Sequence, residues 1–382
     1  MKCLLPIILI YRIYYCESYT SSIKRGFAQY SYGRGHERES RIPLSMSWFQ
    51  NIVPKDKNHM LTSEDKIKIG RTIGYGSYGT VSICQFVKDG EEGRQYIAKR
   101  SWSLQELSDK NKNGREEYDD DQRKNANSQK LLKEKWIRCK GYLDVEQKSL
   151  EKILKSTNGN SKTKVPQLKG RFKDDSKEGF EWIVFETVNS RDGKVAKCLK
   201  QLMFQDWMDQ KSNQKNNEET HPLSLIQQEL GMEESMTFGD TLDRILLGIL
   251  EVLIPVHESN IVHRDIKPDN ILVGGSDQDF VLIDFGSAGD VDEMRKNALS
   301  SMFENQIVTL SPIYAAPELY VEWDKNPKSF DVFSTGLVFC QLLFNLLDDR
   351  TDAGFRQQLE EADFDLDLWL ERELQASLIP VS

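Results

Sequence analysis

The chain has 382 residues, of which 38% are hydrophobic, so it is long enough to bury a core in more than one lobe. Its net charge of -9 at pH 7 argues against a dedicated nucleic-acid-binding protein, which usually carries a concentrated basic surface. The six cysteines are scattered without a Cys-x-x-Cys pair, and they therefore indicate neither a zinc site nor a disulfide framework.

The first 60 residues are predicted to be a leader and disordered segment. A basic start and a short apolar run over 4–11 are typical of a secretory signal peptide. The stretch 19–41 is rich in hydroxyls and arginine and poor in acids, as transit peptides are. Together they resemble the bipartite leader of proteins sent to plastids acquired by secondary endosymbiosis. A disordered tail on a cytoplasmic protein, or a misassigned start codon, is the alternative. No later stretch has about 18 uninterrupted apolar residues, so no transmembrane span is expected there.

A glycine cluster then separates two β-branched runs. Gly74, Gly76 and Gly79 predict a strand, a tight turn and a strand. Without a Cβ, such a turn lets backbone amides approach phosphate oxygens. A dinucleotide-binding turn has the same letters, but a helix would follow it. Here Val81 and a strand follow, which favours a nucleotide loop with Val81 covering the base.

Lys99 ends a short apolar strand about twenty residues later, where it could hold phosphate groups. Residues 101–140 are heavily charged and predict a solvated insertion or an elongated charged helix. A helix is predicted over about 130–155. Glu146 is the preferred partner for Lys99 because apolar residues follow it at helical spacing. Glu151 is the competitor, and an exposed-surface role is the alternative for either glutamate.

Further elements lead to a polar cluster. Strands are predicted at 165–168 and 182–188, an amphipathic piece at 199–208, and a buried helix at 241–253. That helix delivers the chain to the stretch 261–270.

The stretch 261–270 places charged groups between apolar runs. Asp265 and Asn270 stand five residues apart, Lys267 lies between them, and Asp284 follows after a predicted hairpin. Two carboxylates, a lysine and an amide in this order can align a hydroxyl, a triphosphate and metal ions.

With the glycine turn and Lys99, these motifs resemble those of eukaryotic-type serine/threonine protein kinases over about residues 67–347. The resemblance implies an α+β, protein-kinase-like two-lobed fold with ATP and Mg²⁺ as cofactors and a protein as substrate. The smaller lobe, a small antiparallel β-sheet plus a helix, would span 61–188, with the charged insertion at about 101–140. The larger, mostly helical and shortened lobe would span 189–350. The tail 351–382 would pack on or extend that lobe. No nucleic-acid partner is expected, and the oligomeric state stays open.

The resemblance also implies roles for individual residues. Asp265 would accept or orient the proton of the attacking hydroxyl, and Lys267 would neutralise charge on the transferred phosphoryl group. Asn270 and Asp284 would hold magnesium. The residues implied to bind the nucleotide are Ile73, Gly74, Gly76, Ser77, Tyr78, Gly79, Val81, Ala98, Lys99, Glu146, Glu186 and Val188.

Motifs downstream extend the resemblance. Ser311 stands where serine/threonine enzymes have a hydroxyl that contacts the catalytic aspartate, and Asp331 where an aspartate braces the catalytic-loop backbone. The chain ends about fifty residues after Asp331, and no arginine is evident as the usual partner of Glu318. Its tail resembles that of plastid state-transition thylakoid kinases, which also have a shortened large lobe.

Arg264 precedes Asp265, and kinases with an arginine there often need a phosphate on the activation segment. We therefore hypothesise a regulatory phosphosite at Ser300, Ser301 or Thr309.

Two alternative functions stay open. A pseudokinase or scaffold would need a broken motif, and none is found. A small-molecule kinase of the same superfamily is disfavoured by Ser311 and by Ala316-Pro317-Glu318, which are typical of enzymes with protein substrates.

Overall fold

The computed structural model describes residues 66–76, 78–88, 91–113, 122–157, 164–174, 176, 179–206, 223–233, 235–274, 279–298, 311, 313–316, 326–344 and 349–378. The predicted leader, Ser77, the three candidate phosphosites Ser300, Ser301 and Thr309, and Glu318 lie outside these residues.

A five-stranded antiparallel sheet forms the smaller lobe, in the order β1-β2-β3-β5-β4. Its strands are β1 Lys66–Tyr75, β2 Gly79–Lys88, β3 Glu91–Ser101, β4 Leu168–Lys173 and β5 Glu181–Glu186. Alternate residues of the three central strands, such as Cys84, Ala98 and Val184, are buried on one face, as the period-two pattern requires. The prediction of a strand at 165–168 was wrong in its bounds, because β4 begins at Leu168 and ends at Lys173.

Two helices lie between β3 and β4, namely α1 Leu104–Asn113 and α2 Gln122–Ser156. Helix α2 has 35 residues, so it begins eight residues before the predicted start at 130. The interpretation of 101–140 as a solvated insertion is incomplete, because Trp102, Leu107 and Cys139 form a buried cluster. Burial of these apolar side chains therefore stabilises the packing of the described part of 101–140 against the smaller lobe.

The larger lobe is built from helices around a main apolar core, with a second buried cluster between α6 and the last two described helices. Its helices are α3 Ser224–Leu230, α4 Phe238–Glu258, α5 Val291–Ala298, α6 Ser329–Leu343, α7 Asp349–Glu361 and α8 Leu366–Leu378. Helix α4 confirms the predicted helix at 241–253 and extends it at both ends. It begins at a capping box in which Thr237 and Asp240 satisfy each other's backbone N–H groups, which fixes its start. The amphipathic piece at 199–208 contains the π-helical turn Gln201–Asp206.

Short strands flank the segments that carry Asp265, Lys267, Asn270 and Asp284. They are β6 Lys197–Cys198, β7 Ile261–Val262, β8 Ile271–Val273, β9 Phe280–Leu282 and β10 Gly289–Asp290. They form the sheets β6-β8-β9 and β10-β7. Gly248 of α4 lets Phe280 approach, because a Cβ there would lie 2.2 Å from the Phe280 ring.

The last two helices pack against α6. Trp369 is 1% exposed, and its ring centroid lies 5.1 Å from that of Phe355 and 5.2 Å from that of Phe344. Such aromatic contacts bury a large apolar area. Across the described ranges, no helix is both long and apolar enough to cross a membrane.

Candidate active site

The loop between β7 and β8 is braced by a buried carboxylate. Asp331 accepts hydrogen bonds from the backbone N–H groups of His263 and Arg264, both at 2.8 Å. Its Oδ2 also lies 2.8 Å from Nε2 of His257. The brace holds Arg264 at a φ of +66°, a region that costs energy for residues other than glycine. The predicted role of Asp331 is confirmed.

The Asp265 carboxylate is held by three donors. Ser311 Oγ donates to Oδ1 at 2.6 Å, and Lys267 Nζ and Asn270 Nδ2 donate to Oδ2 at 2.8 and 3.0 Å. Lys267 Nζ also donates to Ser311 Oγ at 2.8 Å. The predicted contact between Ser311 and Asp265 is confirmed. Asp265 is 5% exposed, so these bonds fix the orientation of a buried carboxylate.

Lys99 connects the two lobes. Its Nζ lies 2.8 Å from a carboxylate oxygen of Glu146 on α2 and also bonds to Asp284. Burial alone would lower the pKa of Lys99, but the two carboxylates raise it above its usual range. Burial raises the pKa of Glu146, against the opposing effect of Lys99. Burial also disfavours the charged form of Asp284, yet Lys99 outweighs it and lowers the pKa of that carboxyl. Asp284 has a φ of +69°, which turns its side chain into this cluster.

The glycine turn is closed by its own backbone. Gly76 N–H donates to Gly79 O at 2.9 Å, and Trp102 Nε1 donates to Gly76 O at 3.1 Å. A Cβ on Gly79 would lie 1.8 Å from the carbonyl oxygen of Arg100, so only glycine fits. Tyr78 at the turn stacks on Tyr142 of α2, with ring centroids 3.8 Å apart.

The sheet register places several of the remaining predicted nucleotide residues next to one another. Val81 pairs with both Gly74 and Lys99 in the sheet, and Ala98 pairs with Val184. Ile73 is 40% exposed.

At the end of β5 and just after it, one backbone group each of Glu186 and Val188 is already hydrogen-bonded. The Glu186 N–H donates to Gln167 O at 2.9 Å, and the Val188 carbonyl accepts from Ala196 N–H at 2.8 Å. The Glu186 carbonyl and the Val188 N–H are thus the groups of these two residues that could meet a base edge.

Arg264 is engaged by the backbone that follows Asp284. Its Nε donates to Ser287 O at 2.6 Å, and its Nη2 donates to Ala288 O at 2.9 Å. Burial lowers the pKa of Arg264 to about 10. The Arg264 guanidinium, which was hypothesised to need a phosphate on the activation segment, thus donates to two backbone carbonyls.

Sequence reasoning missed two side chains of this region. Tyr142 is buried and lies 3.1 Å from Ser287 Oγ through its hydroxyl. Arg356 of α7 is 8% exposed, and its Nη1 donates to Ala315 O at 2.5 Å, beside the Ala316-Pro317-Glu318 segment. A buried arginine within the apolar pattern of 355–369 was the available signal for the second.

The donor set fits a hard cation. Asn270 Nδ2 donates hydrogen bonds to Asp265, so the amide oxygen of Asn270 is the atom of this side chain that could bind a metal ion. The Ile283 N–H donates to the Asn270 carbonyl at 2.9 Å, which brings Asp284 next to it. Amide and carboxylate oxygens are the ligands that Mg²⁺ prefers. Clusters of three or more His, Cys, Asp or Glu side chains able to hold a metal are absent from the described ranges.

A cavity of about 370 Å³ lies elsewhere, between α1, α2 and strands β4 and β5. Trp102, Trp136 and Phe180 line it together with Lys140 and Arg171. None of the predicted site residues lines it.

The protein kinase domain family model matches residues 195–362. Over 161 residues the chain is 33% identical to the chloroplastic serine/threonine-protein kinase STN7 of Arabidopsis thaliana, which covers 36% of this chain and 27% of that protein. Over 219 residues it is 29% identical to STN8 of the same plant, also chloroplastic, covering 51% of this chain and 40% of that protein.

The chain thus spans well under half the length of these two relatives. A crystal structure of a Stt7 homolog from Micromonas algae soaked with ATP superposes with a TM-score of 0.52, at 15% identity and over 84% of each chain. That likeness concerns the fold. Residues 195–362 therefore match the protein kinase domain family, and the chain has the two-lobed fold of protein kinases.

Proposed function

We propose that this protein is a serine/threonine protein kinase, which transfers the γ-phosphoryl group of ATP to hydroxyls of a protein substrate. The observation that carries the proposal is the arrangement of Ser311, Lys267 and Asn270 around Asp265. A carboxylate held in one orientation beside an ammonium group is what an in-line attack by a hydroxyl requires.

In the proposed reaction, Asp265 orients the attacking hydroxyl and takes its proton. The hydroxyl oxygen forms a bond to the γ-phosphorus while the bond from that phosphorus to the bridging oxygen breaks, and ADP leaves with the electron pair. Lys267 lies 2.8 Å from Asp265, close enough for its charge to offset the negative charge on the transferred group.

The nucleotide would lie between the glycine turn and the larger lobe. Lys99 would hold its phosphates, with Glu146 keeping the lysine forward. Val81 and Ala98 would cover the base, whose edge would meet the Glu186 carbonyl and the Val188 N–H. Magnesium, held by Asn270 and Asp284, would supply charge neutralisation between the phosphates. Asp284 is bonded to Lys99, which places the phosphate-binding lysine and the magnesium-binding carboxylate of this proposal side by side.

A protein acceptor is supported by Ser311. Its hydroxyl bridges Asp265 and Lys267, so the segment that precedes Ala316-Pro317-Glu318 reaches the reacting centre. In serine/threonine kinases that segment supports the peptide substrate, which explains why we favour a protein over a small alcohol.

The test is transfer of radiolabelled γ-phosphate from ATP to a generic protein and to small alcohols. We expect labelled serine and threonine in the protein and loss of at least about 10³-fold in rate for Asp265→Asn. Asp269→Asn is the matched control, because Asp269 lies on the same loop but outside the cluster and pairs with Lys200 at 3.6 Å. Nucleotide binding without transfer would leave a scaffold, and transfer to alcohols alone would indicate a small-molecule kinase.

We further propose a plastid location, which is supported by the two chloroplastic relatives and by the leader pattern. A fluorescent protein fused after the first 60 residues is expected to accumulate in plastids. Diffuse cytoplasmic fluorescence of this fusion would contradict the proposal.

A further inference from the structure

Helix α2 makes a direct ionic contact to the larger lobe at Lys152, in addition to the ion pair of Glu146 with Lys99 inside the smaller lobe. Lys152 Nζ donates to both carboxylate oxygens of Asp290 at 2.7 Å and to Asp292 Oδ2 at 2.9 Å. The Lys152 side chain is 32% exposed, so part of this network is shielded from water. The hydrogen bond from Lys152 lowers the pKa of Asp292, and both carboxylates raise the pKa of Lys152 against the effect of its burial. Lys152 and Asp292 therefore stabilise each other's charged forms.

The two carboxylates belong to the segment that follows Asp284. Asp290 lies on β10 and caps α5, since its Oδ1 accepts the backbone N–H groups of Asp292 and Glu293. Asp292 also accepts from Asn260 Nδ2 at 3.2 Å. Asp290 is therefore tied to the backbone of α5 and Asp292 to the side chain of Asn260, by bonds that do not involve Lys152. The two carboxylates form a fixed anchor for this lysine.

Lys152 lies on the helix that positions the Lys99 ion pair. It follows Glu146 by six residues, or about 9 Å along the helix axis. A helix transmits displacement along its axis because its backbone bonds are continuous. Anchoring α2 at Lys152 thus limits movement of Glu146 away from Lys99.

In protein kinases, phosphorylation of the activation loop controls whether the ion pair between the strand lysine and the helix glutamate is in place. Here Arg264 is bonded to the carbonyls of Ser287 and Ala288. We propose that Lys152 is a positioning residue whose ion pairs with Asp290 and Asp292 hold α2 in place, so that Glu146 stays on Lys99 without a phosphate. This inference rests on the proposed kinase activity for its kinetic consequence.

The test compares Lys152→Gln, Lys152→Arg and the matched control Lys148→Gln, which changes an exposed lysine on the same helix. All proteins are the full chain, treated with phosphatase before assay. We expect Lys152→Gln to lower kcat about tenfold while KM for ATP changes less than about twofold, because the base contacts lie on the strands. Lys152→Arg, which keeps the charge, is expected to restore kcat to within about twofold. Hydrogen exchange of the α2 amides is expected to speed up in Lys152→Gln alone.

Asp292→Asn probes the same network from the other side and is expected to lower kcat severalfold. The inference is wrong if Lys152→Gln keeps kcat within twofold of wild type. It is equally wrong if Lys152→Arg fails to restore kcat, or if phosphatase treatment inactivates the wild type. A wild type without any transfer would overturn the proposed function instead, and unchanged exchange of α2 in Lys152→Gln would then overturn this inference separately.

Discussion

Replacing Asp331 by asparagine tests how the catalytic loop is held. In the native protein the two carboxylate oxygens accept the backbone N–H groups of His263 and Arg264. An asparagine offers one oxygen and one NH₂ group, so one of these buried donors must face another donor. An unpaired buried donor costs about 1–3 kcal/mol, and the remaining bond loses its charge assistance, about 1 kcal/mol more. We expect Asp331→Asn to lower the free energy of unfolding by about 3 kcal/mol.

The variant should still fold, because domains of this kind are stable by about 5–15 kcal/mol. Its activity should fall further than its stability suggests, by about 10²-fold in kcat, since the loop sets the position of Asp265 and small misplacements are costly. Urea unfolding and the phosphate-transfer assay measure the two effects. The matched control is Glu371→Gln, a carboxylate-to-amide change on the exposed face of α8, which should alter neither. Loss of under 1 kcal/mol with native kcat in Asp331→Asn would refute the reasoning.

Three further predictions concern other buried contacts. A Cβ at Gly286 would lie 1.8 Å from the Tyr142 ring, so Gly286→Ala should lose about 1–3 kcal/mol of unfolding free energy, partly recovered by adding Tyr142→Leu. Arg356→Gln removes the hydrogen bond to Ala315 O and should lose about 1–3 kcal/mol in urea unfolding, whereas an unchanged midpoint would exclude this role for Arg356. Burial lowers the pKa of His263 below its ordinary 6.5, so on acidification the unfolded state takes up a proton before the folded state does. The free energy of unfolding should therefore fall as the pH drops below about 6.5, by up to about 1.4 kcal/mol per pH unit. His263→Gln should flatten this slope when unfolding is measured between pH 7.5 and 5.5.

The sequence was most informative where a function needs several residue types at fixed spacing. Asp331 and Ser311 were predicted to contact the catalytic loop, and both do. The buried helix at 241–253 was predictable because its apolar residues recur every three or four positions, which is a local signal. The two-lobed fold followed from the order of these motifs along the chain.

Contacts between distant segments left no comparable signal. Arg356 meets Ala315 across 41 residues, and its place in the apolar pattern of 355–369 does not indicate that partner. The early start of α2 was missed because its first turns are charged, so apolar periodicity is weak there. Trp102 and Leu107 bury the flank of this region, yet isolated apolar residues among charges do not predict a core.

The position of Lys99 depends on helix α2 more than on the strand that carries it. Helix α2 contacts the segment after β9 at three places. Tyr142 bonds to Ser287, and Lys152 bonds to Asp290. Glu146 reaches Asp284 through Lys99, which bonds to both carboxylates. The side-chain hydrogen bonds of Asp265 to described residues come from its own loop and from Ser311. Displacing α2 should therefore weaken phosphate positioning while the geometry around Asp265 is preserved. Nucleotide turnover is then the property most sensitive to this helix, and the catalytic loop depends on Asp331 instead.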